Sequence, residues 1–329
     1  MREVFDVVDL HCGGEPLRVI TSGFPRLPGA RILDKRQYLE EHWDGYRERL
    51  MFEPWGHEDM YGCLLVEPER HDSLYGLIFM HNAGYSTMCG HATIAVTKML
   101  VETGRVTIPV GAPLVSVKFD VPSGQIEAHA RIRDGRVAQV WFENVPAFAV
   151  ALDQTVVVAG QAVTLDIGFG GAYYAIVASR QLGLAVVPDA IDDYRRWGRA
   201  IKAAVEPRGW ATHPDDARLS GIYGVIFTDE PHDARRHSRN LTIFADGQVD
   251  RSPCGSCLSA RMAVLDAKGL IQRQQRYQVE SVIGTTFDVE VMGDTKAGVR
   301  TTVEGEAYLT GFRRFFVNPQ DAVAPFLVR

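Results

Sequence analysis

The sequence predicts an α/β protein made of two lobes of similar size and plan. Three observations predict it. The chain has 329 residues, enough for two domains of roughly 100–200 residues each. Short apolar runs broken by Gly and Pro alternate with a few helical stretches. Two of those stretches resemble each other at an offset of half the chain. Residues 1–150 form the first predicted lobe and residues 151–307 the second, with the seam near Val145–Asp153. The tail, about 308–329, is a candidate to pack back onto the first lobe.

The elements follow in order. Residues 3–10 and 15–21 read as strands around a Gly13-Gly14 turn. Residues 35–51 are charged and periodic, and are expected to form one helix. Residues 64–66 and 75–80 read as strands. Short β runs continue through 105–148, broken by Gly111, Pro113, Pro122-Ser123-Gly124 and Asp134-Gly135. Gly168-x-Gly170-Gly171 lacks dinucleotide-binding spacing and reads as a turn. Residues 189–206 form a predicted helix with Trp197 and Ile201 inward. Strands return at 222–228, 239–245 and from 278 to 317.

Composition narrows the class. Hydrophobic residues make up 46% and charged residues 23%, which excludes a largely disordered chain. The 41 acidic residues outnumber the 35 basic ones, so there is no basic surplus for a nucleic-acid backbone. No run of 18 uncharged apolar residues predicts a membrane span. The first residues, Met1-Arg2-Glu3-Val4-Phe5-Asp6, carry acids early and do not read as a secretory leader, so the cytoplasm is expected. Five cysteines (Cys12, Cys63, Cys89, Cys254 and Cys257) are too few and odd in number for a disulfide framework. Cys12 and Cys63 read as buried structural thiols.

The repeated stretches begin at Cys89-Gly90 and Cys254-Gly255. Both follow Cys-Gly-x4-Ala-x4-Leu-x3-Gly, and five positions agree at an offset of 165. Each reads as a buried helix ending at a left-handed glycine cap, Gly104 and Gly269. A helix start carries spare N–H groups and partial positive charge, which hold a carboxylate and lower a thiol pKa. The glycine after each cysteine lets a ligand approach the backbone. Two such helices facing one another would hold one carboxylate between two thiols. That arrangement suits proton transfer at the Cα of an amino acid, one thiolate removing the proton and the other thiol returning one on the opposite face.

Met88-Cys89-Gly90-His91-Ala92-Thr93 and Asp250-Arg251-Ser252-Pro253-Cys254-Gly255-Ser256 resemble the paired motifs of the proline racemase family. Asp9–Arg18, Phe52–His57 and Gly170–Ala175 extend the resemblance over most of the chain. It implies two lobes of the diaminopimelate-epimerase type, each a curled sheet around a central helix, with the active site in the cleft between them and no cofactor or metal. It also implies that Cys89 and Cys254 are the acid/base pair, and that Gly90, His91, Gly255 and Ser256 hold the substrate carboxylate. Asp250 would take the ring nitrogen, and Tyr173 and Tyr174 are weaker candidates for the ring pocket. A homodimer is the usual family state, and a proline-like imino acid the expected partner.

The family divides by chemistry. Racemases and epimerases keep a second cysteine, whereas the dehydratase of trans-3-hydroxy-L-proline usually has threonine there. Cys254 therefore points to a racemase or epimerase, with 4-hydroxyproline the favoured substrate. Residues 51–54, 81–88 and 223–228 look more like the dehydratase branch, and no histidine stands near Tyr223-Gly224, where the epimerase usually offers one. The alternative is thus a trans-3-hydroxy-L-proline dehydratase with Cys89 as base, or both activities. A non-catalytic imino-acid binder is the competing class. Cys254-Gly-Ser-Cys257 has redox-pair or half-zinc spacing, but no second such pair exists, and Cys257 reads as a packing residue one turn along. A Cys89–His91 dyad is set aside because residues two apart on a helix do not face each other. His57 and Asp59 read as loop residues, with a place in the pocket as the other possibility.

Overall fold

Runs rich in Val, Leu and Ile form β1 (Glu3–Cys12) and β2 (Glu15–Ser22), each buried along most of its middle. Gly13 and Gly14, at φ 58 and 92, turn the chain between them. The computed structural model describes residues 3–318 and 320–328. Met1 and Arg2 of the stretch read for a leader, and Pro319 and Arg329 of the tail, lie outside them. After β2 come α1 (Ile32–His42), α2 (Asp44–Met51), β3 (Tyr61–Val66), β4 (Tyr75–His81), β5 (Gly84–Ser86) and α3 (Gly90–Glu102). Then follow β6 (Leu114–Val121), β7 (Gly124–Arg133), β8 (Arg136–Glu143), β9 (Phe148–Val158), β10 (Gln161–Phe169) and β11 (Tyr173–Ala178). The rest is α4 (Ile191–Val205), β12 (Ile222–Asp229), β13 (Ser238–Phe244), β14 (Gln248–Asp250), α5 (Gly255–Ala267), β15 (Tyr277–Glu280), β16 (Thr286–Thr295), β17 (Gly298–Gly305) and β18 (Ala307–Val317).

The strands form two ladders of one plan. The first runs β18–β1–β2–β3–β4–β6–β7–β8. The second runs β9–β10–β11–β12–β13–β15–β16–β17. Each passes through the same pairings in the same order: two antiparallel, one parallel, one antiparallel, one parallel, two antiparallel. The tail strand β18 pairs with β1, so each ladder starts with the strand matched in the other. The ladders meet where β8 pairs with β17, equivalent strands in the two plans.

Parallel neighbours require a crossover. The β4-to-β6 crossover carries α3 and the β13-to-β15 crossover carries α5. Apolar and small residues all round make each a central helix rather than a surface one. α3 touches β1, β2, β7, β8 and β18, both ends of its ladder, so the sheet curls about it. α5 lies likewise against β9, β10, β11, β16 and β17. This is the expected two-lobe α/β architecture. Gly104 and Gly269 close the helices at φ 70 and 67, the left-handed caps expected from the repeat.

Three expectations need correction. The single helix over 35–51 is two, because Trp43 leaves helical geometry (φ −134, ψ 25) and packs its ring against Tyr38 and Tyr46. The buried stripe of α4 is Tyr194, Gly198, Ile201 and Val205, while Trp197 is only half buried. Strands β9 to β11 lie outside the expected elements, although residues 148–152 and Tyr173–Ala178 are apolar runs of strand type. Among the described residues no helix is long and apolar enough to cross a membrane.

Candidate active site

Cys89 and Cys254 each occupy the position just before a central helix. The two helix starts abut. A Cβ placed on Gly90 would lie 2.6 Å from the Gly255 Cα, and one on Gly255 would lie 2.8 Å from the Gly90 Cα. Only residues without side chains allow this approach, and its reciprocity is what a pseudo-twofold axis between the helices requires. Cys254 is held at φ 64, a left-handed value that costs a non-glycine residue about 1–3 kcal/mol. Its N–H donates to the Ser252 Oγ at 3.1 Å.

Between the helix starts lies a narrow cavity of about 10 Å³, lined by Cys89, Gly90, His91, Asp250, Cys254, Gly255 and Ser256. All seven residues expected at the site are thus brought together. That volume is the room of one water, so a five-membered imino acid enters only if the walls part. Of the two tyrosines considered, Tyr174 lines this cavity. Tyr173 instead faces a wider adjoining cleft of about 710 Å³. Asp59 lies off the cavity and pairs with Arg195 at 2.6 Å, a contact between the first and second lobes. His57 is also off the cavity, its Nδ1 2.7 Å from the Glu58 carbonyl.

The walls also contain Tyr61, Met88, Tyr223 and Phe244, which were not foreseen. A signal for two of them was present. Gly62 pairs with Arg18 in the parallel step of the first ladder, and Gly224 pairs with Tyr174 in that of the second. Tyr61-Gly62 and Tyr223-Gly224 are therefore the same dipeptide at matching places. Tyr174 hydrogen-bonds Ser256 (2.8 Å), and Tyr61 hydrogen-bonds Ser86 (2.7 Å). The Tyr223 hydroxyl is buried beside both Tyr61 and Ser86, which interact with it.

The electrostatics differ from the expectation for a helix start. Burial pushes both thiols up, well above their ordinary value. At Cys89 the Ala92 backbone N–H and Tyr61 act downward without overcoming desolvation, and the Asp250 carboxyl adds to the rise. The helix field is present, but burial of the thiol disfavours the thiolate more strongly. Burial also raises Asp250, against hydrogen bonds from the Ser252 N–H (2.8 Å) and Oγ (2.7 Å). Glu15, fully buried beside it, is raised by desolvation and then by Asp250.

The Cys89–His91 contact set aside above does form. The Cys89 Sγ lies 3.2 Å from His91 Nδ1. Cys89 is extended (φ −147, ψ 111) rather than helical, so the helical spacing argument does not apply to it. Burial holds His91 down at about 3, so its ring is neutral at ordinary pH. Cys257 is buried, donating to the Cys254 carbonyl at 3.1 Å and accepting from the Thr242 hydroxyl at 3.3 Å. Cys12 and Cys63 are fully buried. The glycines after Phe169 make the expected turn and also let it touch α5: a Cβ on Gly170 would meet the Ser256 carbonyl oxygen at 2.2 Å.

Comparison with known proteins agrees with this fold and motif pair. The family model described as proline racemase matches residues 7–326. A trans-3-hydroxy-L-proline dehydratase of Bacillus thuringiensis is 42% identical, over 97% of this chain and 96% of that protein. The human trans-3-hydroxy-L-proline dehydratase is 40% identical, over 97% of this chain and 92% of its own. The structure of a hydroxyproline epimerase from Agrobacterium vitis, with bound trans-4-hydroxy-L-proline, superposes with a TM-score of 0.93 at 29% identity, covering 100% of this chain and 97% of that one. The chain belongs to the proline racemase family.

Proposed function

We propose that the chain moves the Cα proton of a proline-like imino acid between Cys89 and Cys254, acting as a cofactor-independent 4-hydroxyproline 2-epimerase or proline racemase. The observation that carries this is the second thiol. Cys254 stands at the matched start of the matched helix, on the same narrow cavity as Cys89. The Cα–H bond breaks toward one sulfur while the other sulfur gives its proton to the opposite face, leaving the two thiols with exchanged protonation. N–H groups at Gly90, His91, Gly255 and Ser256 hold the carboxylate as it takes up charge. Asp250 faces the ring ammonium. A narrow, largely buried cavity strengthens each of these interactions once substrate displaces water from it. The same proposal takes lobes of 1–150 with the returning tail and 151–307, and a cytoplasmic homodimer, as the resemblance implies.

A specific observation favours a second product. The relatives at 40% and 42% identity are named dehydratases, while the epimerase structure stands at 29%. In that reaction Cys89 takes the Cα proton of trans-3-hydroxy-L-proline, the C3–O bond breaks, and the hydroxyl leaves as water with a proton from Cys254. The enamine then becomes a cyclic imine.

Proton NMR in D2O with trans-4-hydroxy-L-proline, L-proline and trans-3-hydroxy-L-proline separates the two. The epimerase requires loss of the α-proton signal with inversion of optical rotation, and loss of inversion in both Cys89→Ser and Cys254→Ser. A cyclic imine from the 3-hydroxy compound alone, with no inversion of the other two, establishes the dehydratase instead, and Cys89→Ser should abolish its formation. No exchange with any of the three compounds refutes both and leaves a binding protein.

A further inference from the structure

α5 carries a cation without a counter-charge. Arg261 lies two turns beyond Cys254, and its guanidinium is buried. Its Nη1 donates to the Ser238 Oγ at 2.6 Å and the Asn240 Oδ1 at 2.7 Å, both neutral acceptors on β13. Among the described residues no carboxylate forms an ion pair with it. Burial pulls it down to about 10; the Cys257 thiol acts the other way, and Arg261 in turn helps hold the half-buried His237 ring down. Asn240 is fully buried, and its Nδ2 has no hydrogen-bond partner. The cluster therefore holds spare donors and no spare acceptor.

Buried charges in folded proteins are ordinarily paired, because desolvating a lone ion costs several kcal/mol. Here Arg261, with only its Nη1 hydrogen-bonded, lines a cleft of about 580 Å³. That cleft shares no wall residue with the cavity of the two thiols. The other charged groups along it are largely committed. Lys268 binds Asp153 and Asp166 at 2.7 and 2.8 Å. Asp229 accepts from the Val186 and Glu230 N–H groups. Arg180 and Glu230 sit exposed at the rim. A guanidinium edge of two parallel N–H donors matches the two oxygens of a carboxylate or a phosphate.

We propose that this cleft is a second binding site, in which the Arg261 guanidinium takes a small oxyanion of the carboxylate or phosphate class. It is independent of the thiol chemistry and of the substrate assigned above.

The test is thermal unfolding of the full chain, titrated with inorganic phosphate or with acetate at constant ionic strength. A ligand of the native state raises the midpoint in a saturable way. The expected result is such a rise with at least one anion: phosphate alone identifies a phosphate site, acetate alone a carboxylate site, and both a general oxyanion site. Asn240→Asp is nearly isosteric and supplies Arg261 with an internal carboxylate. It should raise the ligand-free midpoint and abolish the anion-dependent rise. Arg261→Gln should abolish the rise too, and where that variant does not fold, Asn240→Asp decides. The proposal is overturned if the parent shows no saturable rise with either anion, or if Asn240→Asp shows the same rise as the parent.

Discussion

Gly90→Ala is the most direct perturbation of the paired helix starts. The added Cβ would lie 2.6 Å from the Gly255 Cα and 3.0 Å from both the Gly255 carbonyl carbon and the Phe142 Cζ. Good carbon contacts lie at about 3.5–4.0 Å, so the two helix starts must part by about 1 Å. Two of the three obstacles are backbone atoms and cannot swing aside. Overpacking of this kind costs about 1–3 kcal/mol. Alanine's helix preference over glycine returns up to about 1 kcal/mol. The net loss of about 0–2 kcal/mol lowers the melting midpoint by a few degrees.

Activity should suffer far more. The shift separates Cys89 from Cys254 and splits the carboxylate cradle, and a misplacement of about 1 Å costs on the order of 100-fold in rate. The assay pairs α-proton exchange in D2O, on whichever imino acid the parent accepts, with a thermal melt. Gly255→Ala meets its nearest atom at 2.8 Å and Phe142 at 3.4 Å, so its loss should be the smaller of the two. A folded Gly90→Ala variant exchanging within twofold of the parent would refute the claim that the abutting helix starts set the reacting geometry.

Two more outcomes can be checked. Burial raises both thiols well above their ordinary value, so the thiolate is the minor form at neutral pH and grows about tenfold per unit as pH rises toward the thiol pKa; kcat/KM should climb with near-unit slope from pH 7 to 9, and a plateau starting below pH 7 would contradict this. Tyr223 is a phenol on the cavity wall, so Tyr223→Phe should slow exchange about three- to tenfold on ring-hydroxylated substrates and leave L-proline unchanged, while equal effects on all substrates would remove it from hydroxyl recognition.

The parts of the site that could be read from the sequence are those fixed by local backbone rules. Cys89-Gly90 and Cys254-Gly255 announce helix starts, and Gly104 and Gly269 announce their ends, because cap geometry depends on a few adjacent residues. The offset of 165 between the cysteines made the duplication visible before any strand was paired. Tyr61, Tyr223 and Phe244 escaped notice because a strand aromatic looks the same whether it faces a core or a ligand. Strand register alone brings Tyr61-Gly62 and Tyr223-Gly224 to equivalent places. The Cys89–His91 contact was misjudged because it depends on one extended residue ahead of the helix.

The sequence by itself determined the α/β class, the two matched helices and the identity of the residues at their starts. Tertiary structure decided that those starts touch, that the cavity between them has room for about one water, and that the thiols lie above rather than below their ordinary pKa. The reason is one of range. Caps and periodicity act over a few residues, whereas desolvation of a thiol depends on every group packed around it, and here those groups come from both lobes.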